Sequence, residues 1–158
     1  MIAIRPATPA DRGWIADLMD DEWGGPTIWA DGRLIDTLTL PTLIAGERQG
    51  LAIYEVAGDR AELVLLHALE ELHGIGTALV SALDALLAPL GVRELHLTTT
   101  NDNLAALRFY QRRGFRLAAL RSGAIAEARR FKPGIPEYGD FGIPLRDELR
   151  LVREIPGA

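Results

Sequence analysis

The stretch Leu63-Val64-Leu65-Leu66-His67-Ala68-Leu69-Glu70-Glu71-Leu72-His73-Gly74-Ile75-Gly76-Thr77-Ala78-Leu79 decides how this chain folds. It opens with a continuous apolar run, Leu63 to Leu66, as expected of a strand covered on both faces. At Gly74-Ile75-Gly76 the period changes. Leu79, Leu83, Leu86, Leu87 and Leu90 fall on one face of a helix from Thr77 to about Leu90, which Pro89 and Gly91 end. A buried strand thus passes through a glycine turn straight into a helix. Glycines let a backbone approach a ligand closely, and the first helical N–H groups have no internal partners. With the helix dipole, such a turn suits a pyrophosphate. A Gly-x-Gly turn serves plain close packing equally well, and the turn alone does not choose. A P-loop would need a lysine after the second glycine, where Thr77-Ala78 stand, and a dinucleotide fingerprint would need a third glycine at Leu79.

Working outward, Ala61–Leu69 is preceded by strands Leu43–Glu47 and Leu51–Ala57, with turns at Gln49-Gly50 and Gly58-Asp59, a meander of antiparallel strands. Ile2 to Arg5 reads as a short first strand. Thr8-Pro9 opens a helix whose apolar stripe is Trp14, Ile15, Leu18 and Met19. Periodicity fails from Gly24 to Asp36, which reads as an irregular segment. Beyond the central helix come a strand Val92–Thr99 and a helix capped by Asn103 that carries Leu104, Leu107 and Tyr110 and stops at Gly114. A strand Phe115–Leu120, a short helix Ala124–Arg130, a Pro/Gly-rich loop Pro133–Pro144 and a closing strand from Leu149 to Ile155 complete the chain. This order predicts an α+β fold, a mixed and mostly antiparallel sheet flanked by helices, in one domain spanning residues 1–158.

Composition narrows the function. The chain has 158 residues, 48% hydrophobic and 25% charged, the balance of an ordinary globular domain. No apolar run approaches the roughly 20 residues that cross a bilayer, and Met1 to Arg5 lacks the pattern of a signal peptide, so a cytoplasmic protein is expected. With no cysteine, disulfides, thiolate metal sites and a cysteine nucleophile are excluded. His67, His73 and His96 are too scattered to imply a metal. A net charge of -5 argues against nucleic acid and leans toward a cationic amine as substrate. Arg112-Arg113 and Arg129-Arg130 read as solvated helix ends.

A second segment adds to the glycine turn. Asn103-x-x-Ala106-x-x-Phe109-Tyr110-x-x-x-Gly114-Phe115, one strand–helix unit later, resembles the GNAT superfamily of N-acetyltransferases. That family carries a Gln/Arg-x-x-Gly-x-Gly/Ala turn after its fourth strand and an Asn-x-x-Ala-x-x-Phe-Tyr-x-x-x-Gly-Phe helix after its fifth. The element order from Ile2 to about Leu120 matches as well. The resemblance implies acetyl-CoA as co-substrate, with no metal. It places the CoA pyrophosphate on backbone N–H groups around Leu72, His73, Gly74, Ile75, Gly76 and Thr77. The pantetheine arm would lie along Ala68 and Leu69, with Asn103 and Ala106 opposite and Tyr110 toward the thioester sulfur. Glu71 stands where the family has Gln or Arg, and His73 offers a basic group in its place. The family's acceptor lies near the loop after the first helix, which here is Gly24–Asp36 with Trp23 and Trp29.

The implied reaction is attack of a neutral primary amine, from a small molecule or a peptide, on the thioester carbonyl. An alkyl amine is protonated near neutral pH, so a base must take its proton, and the leaving thiolate benefits from an acid. Tyr110 is the expected acid, seven residues and two helical turns from Asn103 and so on the same face. His67, on the face of its strand shared by Leu63 and Leu65, and Glu70 at the strand end are the expected bases, with Glu55, Asp31 and Asp36 left open. The alternative is a non-catalytic acyl-CoA-binding module of the same fold. A homodimer is compatible with either.

Overall fold

The computed structural model describes residues 1–69 and 74–158. Seven strands form one sheet in the order β1-β4-β5-β6-β7-β9-β8, made of β1 (Ile4–Pro6), β4 (Thr42–Ala45), β5 (Gly50–Ala57), β6 (Arg60–Ala68), β7 (Glu94–Thr100), β8 (Arg116–Arg121) and β9 (Glu148–Glu154). Every neighbouring pair is antiparallel except β6 and β7. The mixed, mostly antiparallel sheet expected from the sequence is therefore present. Its helices are α1 (Arg12–Trp23), α2 (Ile75–Leu87), α3 (Leu104–Arg112) and α4 (Ala124–Phe131).

Two apolar layers sandwich the sheet. On one face, α2 buries Ile75, Leu79, Val80, Leu83 and Leu87 against Leu63, Leu95, Leu97 and Leu151. Each such side chain contributes about 1.5–3 kcal/mol on leaving water. On the other face, Ile15, Leu18 and Met19 of α1 pack on Ile44, Leu51, Ile53 and Leu65. The run Leu63–Leu66 is divided between these layers: Leu63 and Leu66 face α2, while Val64 and Leu65 face α1.

That division has a cause. The register of β5 and β6 shifts between Ile53, opposite Leu65, and Tyr54, opposite Leu63, so Val64 is the extra residue of a β-bulge. A bulge reverses the alternation beyond it. His67 consequently shares a face with Leu65 but not with Leu63, a correction to the strict period-two reading.

The segment Gly24–Asp36 is not irregular. Strands β2 (Thr27–Ala30) and β3 (Arg33–Asp36) pair as a separate hairpin. Its two-residue turn is Asp31-Gly32, and both residues have positive φ (51° and 77°), the geometry of a turn whose twist matches its strands. The hairpin lies on the α1 side of the sheet. Trp29 of β2 stacks flat on Phe131, with centroids 4.2 Å apart. Lys132 donates from Nζ to the carbonyls of Trp23 at 2.8 Å and Thr27 at 2.5 Å, fastening the end of α1 and the hairpin together.

Arg129 is not a solvated helix end either. It donates to the carbonyls of Ile135 (3.4 Å), Pro136 (2.7 Å) and Leu145 (3.1 Å) and so folds the Pro/Gly-rich segment back on α4.

Candidate active site

Strands β6 and β7 pair only over Arg60–Glu62 and Glu94–His96, although both run on. Past that point they have no mutual ladder, and a cleft opens between them. Tyr110 and Asn103 of α3 look into it, and each lines two adjoining cavities.

The first cavity, of about 360 Å³, is bounded by Leu66, His67 and Ala68 of β6, by Gly76, and by Asn103, Ala106 and Phe109. His67, Ala68, Gly76, Asn103, Ala106 and Tyr110, all expected at the site, come together here. Leu69 does not join them. Its N–H bonds to the Gln49 carbonyl at 2.8 Å, and its side chain is exposed. Because backbone groups alternate sides along a strand, Leu66 and Ala68 are the residues whose N–H and C=O face the open edge. Of the two residues expected to pair, Ala68 faces that edge and Leu69 does not, and Leu66 stands there with Ala68.

Next to this cavity α2 begins at Ile75, after the left-handed N-cap Gly74 (φ 71°), which gives no side-chain cap. The N–H groups of Ile75, Gly76 and Thr77 occupy the first turn, where a helix supplies no acceptor. Arg113 braces the turn, donating from Nε to Thr77 Oγ1 at 3.0 Å and also from Nη2. Its guanidinium lies 3.6 Å over the ring of Phe109. Local pattern alone makes Arg113 a solvated helix end, whereas it is a cation held at a helix N-terminus. Glu70, Leu72 and His73, expected as a base and as phosphate contacts, lie outside the described residues.

Asn103 has a defined local role. Its side chain accepts a hydrogen bond from Ala106 N at 3.2 Å, capping α3 while facing the cleft. Tyr110 is buried, 8% exposed, with its ring edge-on to Phe109 and Phe115. Burial pushes its hydroxyl well above the ordinary phenol range, so it stays a protonated donor throughout physiological pH.

The second cavity, of about 260 Å³, lies between the hairpin and the sheet. Ile28, Trp29 and Ala30 roof it together with Trp23, and the Thr98–Thr100 end of β7 forms one wall. Among the described residues that line it, Glu62 and Glu148 are the only charged ones, 7% and 2% exposed. Neither was singled out from sequence. Glu62 was legible as a lone acid before a buried run. Glu148 immediately precedes the alternation Leu149, Leu151, and period two puts it on the opposite, cleft-facing side.

The cations that compensate these acids stand outside the cavity. Arg33 contacts Glu62 at 2.8 Å and Glu55 at 2.6 Å. Arg121 contacts Glu148 at 3.2 Å and reaches Asp31 and Glu127 at 3.6 and 3.7 Å. Burial raises the Glu148 carboxyl above its usual range, against the pull of Arg121. His96, 4.0 Å from Glu62, is pushed down by burial and by Arg150, and so is neutral near pH 7. His67 opens on the first cavity, with its ring edge-on to Trp23 at 5.5 Å. Of the acids left open from sequence, Glu55 pairs with Arg33 and Asp31 with Arg150 and Arg121, while Asp36 caps the turn at Thr37–Thr39.

Among the described residues no group of three or more acids and histidines is placed to hold a metal. No described helix is long and apolar enough to cross a membrane.

A model of the acetyltransferase (GNAT) family matches residues 7–115. The Bacillus subtilis (strain 168) protein YxbD is 35% identical over 156 residues, covering 96% of this chain and 98% of its own. YdhI of the same organism is 33% identical over 98% of this chain and 99% of its own. In fold, the chain is similar to a Bacillus subtilis acetyltransferase solved in complex with CoA, with a TM-score of 0.67 and 19% identity over 98% and 99% of the two chains. It is also similar to Arabidopsis thaliana NAA60 in complex with a bisubstrate analogue, with a TM-score of 0.71 and 17% identity over all of both chains.

Proposed function

The chain belongs to the GNAT acetyltransferase family, and from that premise we propose how its own residues carry acetyl from acetyl-CoA to a primary amine. The observation that carries this reading is that Tyr110 lines both cavities at once. The cavity along Leu66 and Ala68 suits the pantetheine arm, whose amides can bond to the free edge of β6. The first turn of α2, braced by Arg113, suits the pyrophosphate. The cavity under the hairpin takes the acceptor. A module that only bound acyl-CoA would have no use for this second cavity, which favours the enzyme over the binding-only alternative.

In this reading the protonated amine gives a proton to Glu148, whose raised pKa brings it closer to that of its donor. The neutral amine attacks the thioester carbonyl carbon and forms the new C–N bond. The C–S bond then breaks as the sulfur takes the proton of the Tyr110 hydroxyl, the nitrogen's second proton returns to the Tyr110 oxygen, and Glu148 gives the first proton to solvent. Products are the N-acetyl amine and CoA, with one net proton released. Glu148 replaces His67 as the assigned base, because Glu148 lines the acceptor cavity and His67 does not.

The test has two parts. CoA and acetyl-CoA should raise the melting temperature, by mass action on the native state, more than NAD or ATP do. A panel of primary amines should then release CoA from acetyl-CoA. Equal shifts from all four ligands, or none from CoA, would sink the assignment. CoA binding without release by any amine would favour the binding-only module.

A further inference from the structure

The acceptor cavity has a charge pattern that goes beyond a preference for amines in general. Its two lining carboxylates stand at opposite ends. Glu62 is in register with His96, where β6 and β7 are still paired, at the closed end of the cleft. Glu148 is in register with Thr100, four residues farther along β7, where the cleft is open. At about 3.3 Å per residue the two attachment points are roughly 13 Å apart along the strand. Only one of these acids can serve the reacting nitrogen.

The surrounding charges do not neutralise the pair. Glu55 and Glu62 share Arg33, while Asp31, Glu127 and Glu148 share Arg121 and Arg150. Among the described residues, five carboxylates face three guanidinium groups, and His96 adds no charge near neutral pH. All three guanidinium groups lie outside the cavity lining, so an occupant meets carboxylates alone. The rest of the lining is apolar or neutral and includes Trp23 and Trp29, aromatic residues of the kind that tolerate a methylene chain and attract a cation.

We propose that the acceptor is a compact dication: a primary amine that reacts at the Glu148 end and carries a second cationic group, a few methylenes away, that is bound by Glu62 at the closed end. The cavity, of about 260 Å³, has room for a molecule of that size. This rests on the acceptor reading given under Proposed function. Glu62 acts on specificity here, holding the remote charge while taking no part in proton transfer.

The experiment compares 1,5-diaminopentane with pentylamine, by CoA release from acetyl-CoA. The diamine should have the higher kcat/KM by at least about tenfold, the effect of one partly buried charge pair. In Glu62→Gln this ratio should fall toward one, chiefly through the KM of the diamine. In Arg33→Gln, which frees Glu62 of its cation, the ratio should hold or rise. A wild-type ratio near one, or a ratio that survives in Glu62→Gln, overturns the proposal. Should Glu62→Gln fail to fold, a ratio that collapses in Arg33→Gln overturns it equally. Failure of the acceptor reading itself looks different: CoA would bind and neither amine would release it.

Discussion

The ring of Phe109 stands 3.0 Å from the point where a Cβ on Gly76 would lie. Gly76 does not need left-handed backbone, since its φ is not among the positive ones, so contact between α2 and α3 is what excludes a side chain there. Gly74 is the opposite case. A Cβ there would meet open space, but the backbone has a φ of 71°. One glycine of the turn is thus fixed by packing and the other by conformation.

Replacing them should separate the two reasons. Gly74→Ala should cost about 1 kcal/mol of stability through its backbone, with a small effect on CoA affinity. Gly76→Ala must displace Phe109, which both lines the cavity along Leu66 and Ala68 and lies under Arg113. It should cost about 1–3 kcal/mol and weaken CoA binding as well. Urea unfolding and isothermal titration on both variants decide, and the reverse order of affinity losses would contradict the packing argument.

Asp11 gives a pH prediction. Arg5 grips its carboxylate with two hydrogen bonds, at 2.7 and 3.0 Å, Thr8 N adds one at 2.9 Å, and Arg48 Nε another at 3.2 Å. Arg5 first, and then the Thr8 N–H, hold this carboxyl well below the ordinary aspartate range. A depressed folded-state pKa means stability that is present above the unfolded value, near 4, and lost as pH falls below it toward the folded value. Asp11→Asn should therefore melt lower than wild type at pH 7, with the gap narrowing from about pH 4 downward. A gap independent of pH would show that the carboxylate's charge is not what stabilises the corner.

Arg113 is predicted to act on CoA through its charge. Its described partners are the Thr77 hydroxyl and the Phe109 carbonyl and ring, so no carboxylate among the described residues neutralises it. Arg113→Gln should weaken CoA binding roughly 3- to 10-fold at low salt, the scale of a partly exposed charge contact. The loss should shrink as ionic strength rises, because screening already weakens the wild-type contact. Titrations at two salt concentrations check this. An equal loss at both would make Arg113 a brace for Thr77 and nothing more.

The elements of this fold were legible wherever one period ran undisturbed. The apolar face of α2, the cap at Asn103 and the seven-residue spacing to Tyr110 all follow from local rules, and both residues do face one cleft. Legibility failed where a local exception decided the outcome. The bulge at Val64 has no Gly or Pro to announce it, yet it moves His67 to the other face. The hairpin Thr27–Asp36 escaped because each of its strands is only four residues long, too short for alternation to register. Glu62 and Glu148 are 86 positions apart in sequence, and only the insertion of β9 beside β7 brings both to one cavity. No spacing rule reaches across such a crossover.

Tyr110→Phe is the sharpest test of the proposed chemistry. The phenol ring is held on two sides, by Phe109 at 5.2 Å and Phe115 at 5.4 Å between centroids, and phenylalanine keeps both contacts. Folding and the Kd for acetyl-CoA should therefore change little. The hydroxyl alone is lost, and burial raises its pKa, so that in wild type it carries its proton near neutral pH. A positioned general acid contributes typically about 10²–10⁴-fold to rate, or about 3–5 kcal/mol of transition-state stabilisation. An ordinary hydrogen bond contributes only about 1 kcal/mol net, too little to mimic that loss. Because the proton is needed chiefly as the thiolate departs, the drop belongs in kcat, with the Kd for acetyl-CoA as the internal control. If kcat is unchanged when chemistry limits the rate, Tyr110 is a packing residue of α3, and the departing sulfur takes its proton from solvent.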